Sequence, residues 1–555
     1  MNIPNYLFLC SKDRGVFERA RELYEPNQLT LSSINDGRQL VIASSQRITN
    51  HTIYKTIIND FGTDESNKKH SLTSFTEFDG NYLKCTADIF GVQTHYYFHN
   101  ASTFIISNNL FVVAYLTNAK FSEESIFDAL IFKKPRREKT WFENIKCLIP
   151  GEVLSYDFML HNLIIKKEFE LFEVMFEGKE RNYDEVFINF FSEFKKLNGC
   201  DNIGLSLSAG SDSRTVLAGL LTTGKNFTTY SWGGSNYFET KKIDEFVKNF
   251  NLKNQKITFE DLEQNYDKYT ENAFLNTSGL LTAVHQYYYY SKLPKNLCLF
   301  EGYLGSEFLK GELSDGMFTK IYYDIIKNNI HPKQAILKYF PNIKDDVKSK
   351  LIDYILESYG STFKDVNTEA GKVEFQKYLL EFIPSKVFGG VLTNGIALGI
   401  KYFLPYFSPL FLRSLFGDGY GIIKNISLRN DHPGSIRIIE AQSKIVEKLN
   451  TKIYNSILSR NIKFSESKLP YAISKMLRKK RNLIDKILIK KYKVTAQVDY
   501  ENIKKNSSYH KMKINDNIRS MLSAEIPNEF VSYVSFYLNV IERLLKEKYF
   551  YYLKV

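Results

Sequence analysis

The chain has 555 residues, of which 43% are hydrophobic and 25% charged. That balance excludes a disordered, collagen-like or coiled-coil protein, and the length suits about two to four domains. The net charge of +12 is a mild excess, because 62 acidic residues are mixed among 74 basic ones. No run reaches the ~18 apolar residues of a membrane helix. The most apolar stretch, Gly389 to Phe407, is broken by Thr393, Asn394, Lys401 and Pro405. The opening MNIPNYLFLCSKDRG lacks the basic start and apolar length of a signal peptide, and the five cysteines (Cys10, Cys85, Cys147, Cys200, Cys298) form no CxxC. Buried thiols in a cytoplasmic protein are therefore expected.

Up to about Leu171, short β-type runs dominate: Tyr6 to Cys10, Gln39 to Ala43, Tyr82 to Asp88, His95 to His99, Thr103 to Ser107, Val153 to Phe158 and Leu163 to Phe169. They predict an α+β or all-β first domain with few helices. A helix follows, with Val186, Phe187, Phe190, Phe191, Phe194 and Leu197 on one stripe, and Asn198-Gly199 closes it. The segment NIGLSLSAGSDSRTVLAGLLTTGKNFTTYSWGG then reads as strand (Ile203 to Leu207), loop, helix (Arg214 to Leu221) and strand (Phe227 to Trp232). A helix from Lys241 to Phe250 and strands at Lys256 to Phe259 and Leu297 to Phe300 continue the alternation. This predicts an α/β parallel sheet with helices on both faces. From about Ile321 the chain is mainly amphipathic helix, interrupted at Phe403 to Ser408.

The run Lys475 to Lys493 carries nine Lys or Arg against one Asp. Met476, Leu477, Leu483, Ile484, Ile487 and Leu488 lie in it at helical spacing, so the favoured reading is the solvated face of a helix packed by its apolar stripe. Contact with an anionic membrane surface or a polyanion is the alternative.

Ligands of open parallel sheets sit beyond the carboxyl ends of the strands. There the sequence places Ser208-Ala209-Gly210-Ser211-Asp212-Ser213, which is neither GxxxxGK[ST] nor GxGxxG. Gly210 allows close backbone approach, Ser208 and Ser213 supply hydroxyls, and a helix N-terminus follows, so a phosphate fits. Asp212 would then need a divalent cation, Mg2+, between carboxylate and phosphate. Helix capping, with Ser211 at the N-cap and Asp212 favoured by the dipole, explains the same spacing equally well.

The stretch Leu207 to Ser213, followed by helix and strand, resembles the LSGGxDS pyrophosphate loop of N-type ATP pyrophosphatases, specifically the asparagine synthetase family, with Ala209 for the first glycine. Asp79 to Tyr97 (with Asp88 and Gly91), Thr140 to Leu154, Glu239, Glu301 to Glu307 against SGxGxDE, and Gly399-Ile400 with Pro405 to Ser408 match further segments in the family's order. The resemblance covers residues 1 to 440. It implies an α+β N-terminal sandwich like the N-terminal-nucleophile amidohydrolases, with four layers, over 1–172, an α/β ATP pyrophosphatase domain over 180–440, and a helical, basic extension over 441–555. It further implies an ATP-dependent, AMP-forming ligase that turns a carboxylate into an acyl-adenylate for attack by an amine. By position, Ser208, Gly210, Asp212 and Ser213 would hold pyrophosphate and Mg2+. Ser206, Trp232, Glu301 and Gly302 would line the nucleoside side.

The chain also departs from the family. Asn2 stands where glutamine-dependent members need cysteine, and no Asn-Gly-Glu occurs around Ala43 to Thr52, so a scaffold without glutaminase activity is expected. In the second motif Glu301, Leu304 and Ser306 replace Ser, Gly and Asp, while Glu307 keeps a carboxylate for a cation or for catalysis. Tyr303 matches the β-lactam-forming branch, which favours an amine other than ammonia, but no partner glutamate for it is evident. Lys444 and Lys448 are candidates by order for the family's leaving-group lysine. Asparagine synthesis from free ammonia and non-catalytic nucleotide binding are the competing functions; nucleic acid is not expected as a partner. The tyrosines 287–290 are expected to pack a helix on the sheet.

Overall fold

The computed structural model describes residues 6–23, 29–33, 39–44, 52–61, 70–176, 180–233, 238–277, 284–309, 317–326, 328, 330–360, 368–420, 439–458, 461–489, 508, 514–522 and 529–546. Asn2, most of the Ala43 to Thr52 stretch, and residues 490–493 of the basic run lie outside them.

The N-terminal part is built from two antiparallel sheets. Strands β1 (Tyr6–Ser11), β2 (Leu29–Ser33), β3 (Gln39–Ser44), β7 (Tyr96–His99), β8 (Thr103–Ser107) and β9 (Lys146–Cys147) form one, in the order β2-β3-β1-β8-β7-β9. Strands β4 (Thr52–Ile58), β5 (Leu72–Phe78), β6 (Tyr82–Thr86), β10 (Glu152–Asp157) and β11 (Asn162–Lys167) form the other, in the order β11-β10-β6-β5-β4. Period-two alternation explains the stacking. Tyr6, Phe8 and Cys10 of β1 point between the sheets, to Leu83, Cys85, Leu154 and Tyr156. Leu7 and Leu9 point the other way, into a core shared with the helices Arg14–Leu23 and Leu110–Thr117.

Three departures from expectation are informative. Helices Arg14–Leu23, Leu110–Thr117 and Glu123–Phe132 were not expected in a strand-rich domain; the last two are so uniformly buried that they carry little amphipathic signal. β2, β4, β5 and β9 are additional strands, and Thr and Ser at inward positions of β5 (Ser74, Thr76) blur its alternation. The fourth layer implied by the resemblance does not cover β6 and β11, where outward-facing Tyr82 and Ile164 are 54% and 43% exposed.

The second part carries a five-stranded, all-parallel sheet of β12 (Ile203–Ser206), β13 (Thr228–Trp232), β14 (Asn254–Ile257), β15 (Cys298–Phe300) and β16 (Lys401–Phe403). Its order is β14-β13-β12-β15-β16. The helix Ser211–Thr222 connects β12 to β13 and packs on Tyr183–Lys196; a Cβ on Gly219 would lie 2.2 Å from the Phe191 ring. β16 reaches the expected helical interruption only at Phe403; it is three residues long and is hidden in the sequence by the apolar run around it.

The parts are joined intimately. Buried Asn59 clamps β16: its Nδ2 donates to Leu404 O (3.2 Å), Leu404 N donates to its Oδ1 (2.6 Å), and its own N–H reaches Tyr402 O (3.1 Å). His70 Nδ1 meets Ser408 Oγ at 2.6 Å. The extension is integrated too, with Tyr537 of helix Glu529–Lys546 placed between Trp141 and Phe274.

The cysteine reading needs one correction. Cys10, Cys85 and Cys147 are buried free thiols, but Cys200 and Cys298 form a disulfide, Cα–Cα 6.0 Å. Parallel pairing of β12 with β15 sets Ile203 beside Cys298 and so brings together cysteines 98 residues apart in sequence. No described helix is long and apolar enough to cross a membrane.

Candidate functional site

Strand order reverses at β12: the chain runs from β12 to β13 and β14 on one side, and β15 and β16 lie on the other. The carboxyl ends of β12 and β15 therefore form the switch point at which open parallel sheets bind their ligands in a crevice. The loops leaving them carry the two candidate motifs.

The first loop is a closed ring. Ser208 Oγ and Ser213 Oγ are 3.0 Å apart, Gly210 N donates to Ser208 Oγ (3.1 Å), and Ser208 N donates to Ser213 Oγ (3.1 Å). Gly210, not Ser211, occupies the N-cap, and no side chain caps the first turn. The simple capping account thus fails for Ser211, and the first turn opens onto the loop.

The second loop closes on Asp212. A Cβ on Gly302 would lie 3.0 Å from the Asp212 Cβ and the Ser213 N, and one on Gly305 would lie 2.6 Å from Asp212 Oδ1. Both glycines are required by close approach. Between them Leu304, where the family motif has glycine, is buried with φ +70°, a left-handed backbone that costs a Leu about 1–2 kcal/mol. Ser306 Oγ donates to Asp212 Oδ2 (2.8 Å), tying the second loop to the first. Glu307 sits beside it, half-buried in the turn Gly305–Leu309.

Gln442 was not anticipated. It lies on helix Glu440–Leu449, is fully buried, and its Nε2 donates to Asp212 Oδ1 at 2.5 Å. Its Oε1 is buried with no hydrogen-bond partner among the described residues, an acceptor suited to a donor from a ligand or a cation-bound water. The helix presents Gln442 to the loop where a lysine was sought. Lys448 instead pairs with Asp184 (2.6 Å), and Lys444 stands over the Tyr420 ring at 5.2 Å.

Glu301 is a perturbed carboxyl at this switch point. It is 6% exposed, and burial pushes its carboxyl from 4.5 up to about 8 against the opposing hydrogen bonds of Ser206 and Tyr290. Ser206 Oγ donates to its Oε1 at 2.5 Å and also meets Tyr289 OH at 2.8 Å. Tyr290 OH lies 3.4 Å from the same oxygen, a long contact, and is hydrogen-bonded to Tyr303 OH. Burial and the Glu301 charge raise Tyr303 and Tyr290 well above the ordinary phenol value. Trp232, half-buried at the end of β13, stacks on His285 (4.8 Å) and touches Tyr289 (5.9 Å).

The structure thus brings Ser206, Ser208, Gly210, Asp212, Ser213, Glu301, Gly302 and Tyr303 into one crevice and links Trp232 to it through Tyr289. Two tyrosines of the packed run turn hydroxyls onto Ser206, Glu301 and Tyr303, a role that a solid block of four tyrosines does not reveal. Among the described residues no three His, Cys, Asp or Glu side chains group as a metal cage. A cation here would rely on Asp212 and on ligand oxygens, the usual situation for Mg2+ with phosphates.

The sequence matches no protein family and no curated protein. Among solved structures, the structure of NMN synthetase from Francisella tularensis aligns at 13% identity, covering 32% of this chain and 93% of that chain, with a TM-score of 0.18. A likeness of that size carries no argument about activity.

Proposed function

We propose that this chain is an ATP-dependent, amide-forming ligase, which activates a carboxylate as an acyl-adenylate with release of pyrophosphate and does not hydrolyse glutamine. The observation that carries the reading is the meeting, at the crevice where strand order reverses, of an anion-type loop closed by Gly302 and Gly305 with a buried proton chain, Glu301–Tyr290–Tyr303.

In this reading the Ser208–Ser213 loop receives the phosphates, exchanging the mutual serine hydrogen bond for contacts to phosphate oxygens. Asp212 would hold Mg2+, which when bound neutralises phosphate charge. Ser206 and Trp232 orient the nucleoside. Amide formation then requires removal of a proton from the attacking amine. Tyr303 is a poor base, because its phenol is held above the ordinary value, but it can pass a proton through Tyr290 to Glu301, whose value near 8 suits a base at neutral pH. Glu301 would thus be the carboxylate partner of Tyr303 that the sequence did not reveal. Absence of glutaminase activity is supported by Cys10, which lies fully buried within β1.

The test is Tyr303→Phe, which keeps the ring and its contact with Phe388 (5.0 Å). ATP/pyrophosphate exchange should survive while amide formation falls by about 10²-fold or more. Equal effects on both half-reactions would return Tyr303 to a packing role.

A further inference from the structure

The helix Tyr471–Ile489 carries six Lys or Arg against the single Asp485, and several of its apolar side chains face outward. Ile473, Met476 and Leu483 are 44%, 63% and 64% exposed, among the most exposed large apolar side chains described. The inward side is instead polar and fixed. Arg481 donates to both oxygens of buried Glu466 and to Asn461 O (2.8 Å), and Asn461 Nδ2 donates to Asn482 Oδ1 (2.9 Å). These bonds set the rotation of the helix and hold its other side outward.

At 3.6 residues per turn, Ala472, Met476 and Leu483 fall within about 40° of one another on that outward side. Lys479 borders the strip on one flank, and Lys480 lies on the other, between it and Ile473. All are exposed, and Lys479 and Lys480 form no ion pair among the described residues. An apolar strip between rows of lysine is the pattern of a helix lying in the plane of a bilayer surface, with side chains in the acyl boundary and ammonium groups at the headgroups.

We propose that this helix is a docking surface for anionic lipid bilayers. Charge complementarity selects that occupant. A second copy of the helix would set lysines against lysines, and a nucleic acid would leave Met476 and Leu483 in water, with no aromatic ring in the strip for its bases to stack on.

The experiment is co-sedimentation of the full chain with phosphatidylcholine vesicles and with vesicles containing about 30 mol% phosphatidylserine, at a physiological ionic strength of about 0.15 M. Binding to the anionic vesicles alone is expected. Met476→Glu/Leu483→Glu and Lys479→Glu/Lys480→Glu should each weaken it at least about tenfold. All four positions are exposed, so both variants should keep the parent's circular dichroism and thermal midpoint. The proposal is overturned by equal binding to neutral vesicles, by no binding, or by unchanged binding of either variant. It is also overturned if the Met476/Leu483 variant only converts an oligomer to a monomer, or if binding is instead seen to an RNA or DNA oligonucleotide.

Discussion

Replacing Glu301 by Gln isolates the carboxyl that the proposed proton transfer depends on. Gln keeps the shape and the acceptor oxygen that receives Ser206 and Tyr290, and it removes the charge. With a folded value of about 8 against 4.5 unfolded, Glu301 binds a proton in the folded state that the unfolded chain has already released within that window. Stability from the protonated group is therefore complete below about pH 4.5, declines as pH rises, and is fully lost once pH passes 8. Each pH unit of the window costs about 1.4 kcal/mol, so the whole window is worth about 5 kcal/mol. Urea unfolding of parent and Glu301→Gln at pH 5, 6, 7 and 8 measures this as a difference, which cancels the other titrating groups. Gln should gain on the parent by about 3–4 kcal/mol between pH 5 and pH 8. Amide formation by the parent should rise toward a plateau above pH 8, and the variant should lack that rise. Parallel stability profiles would refute the assignment of Glu301 as a buried, proton-holding carboxyl.

Gly305→Ala would place a methyl 2.6 Å from Asp212 Oδ1, and displacing that carboxylate should lower ATP/pyrophosphate exchange by about 10²-fold with little change in thermal midpoint. Asn59→Ala strands the Leu404 N–H and two carbonyls at the junction with β16, so urea unfolding should show a loss of about 2–3 kcal/mol. Thiol titration in denaturant should count three cysteines before reduction and five after it; five before reduction would contradict the Cys200–Cys298 bond.

The legible parts of this molecule were those with local periodicity. The phenylalanine stripe of Tyr183–Lys196, the β12–helix–β13 unit and the loop between them are each stated within about ten residues, as hydrophobic spacing followed by glycine and serine. What could not be read depends on distant partners. Gln442 meets Asp212 across 230 positions, and Glu301 owes its raised carboxyl to burial just past the end of β15, which only the assembled fold produces. In Tyr471–Ile489 the spacing alone does not say which side faces in: Arg481 turns inward to Glu466, while Met476 and Leu483 face outward. Leu304 stands where the resemblance expects glycine, and its left-handed backbone is visible only in the folded chain.

The central claim, carboxylate activation by ATP in the crevice between β12 and β15, is tested most directly by ATP/pyrophosphate exchange screened across amino acids, peptides and other small carboxylates, with Asp212→Asn as control. Asn at 212 can still accept from Gln442, and the Ser306 hydroxyl can turn to accept from its amide, so the control should fold. The account predicts Mg2+-dependent exchange with at least one carboxylate class and its loss in Asp212→Asn. Exchange with none of them, or exchange unchanged in Asp212→Asn, would contradict it.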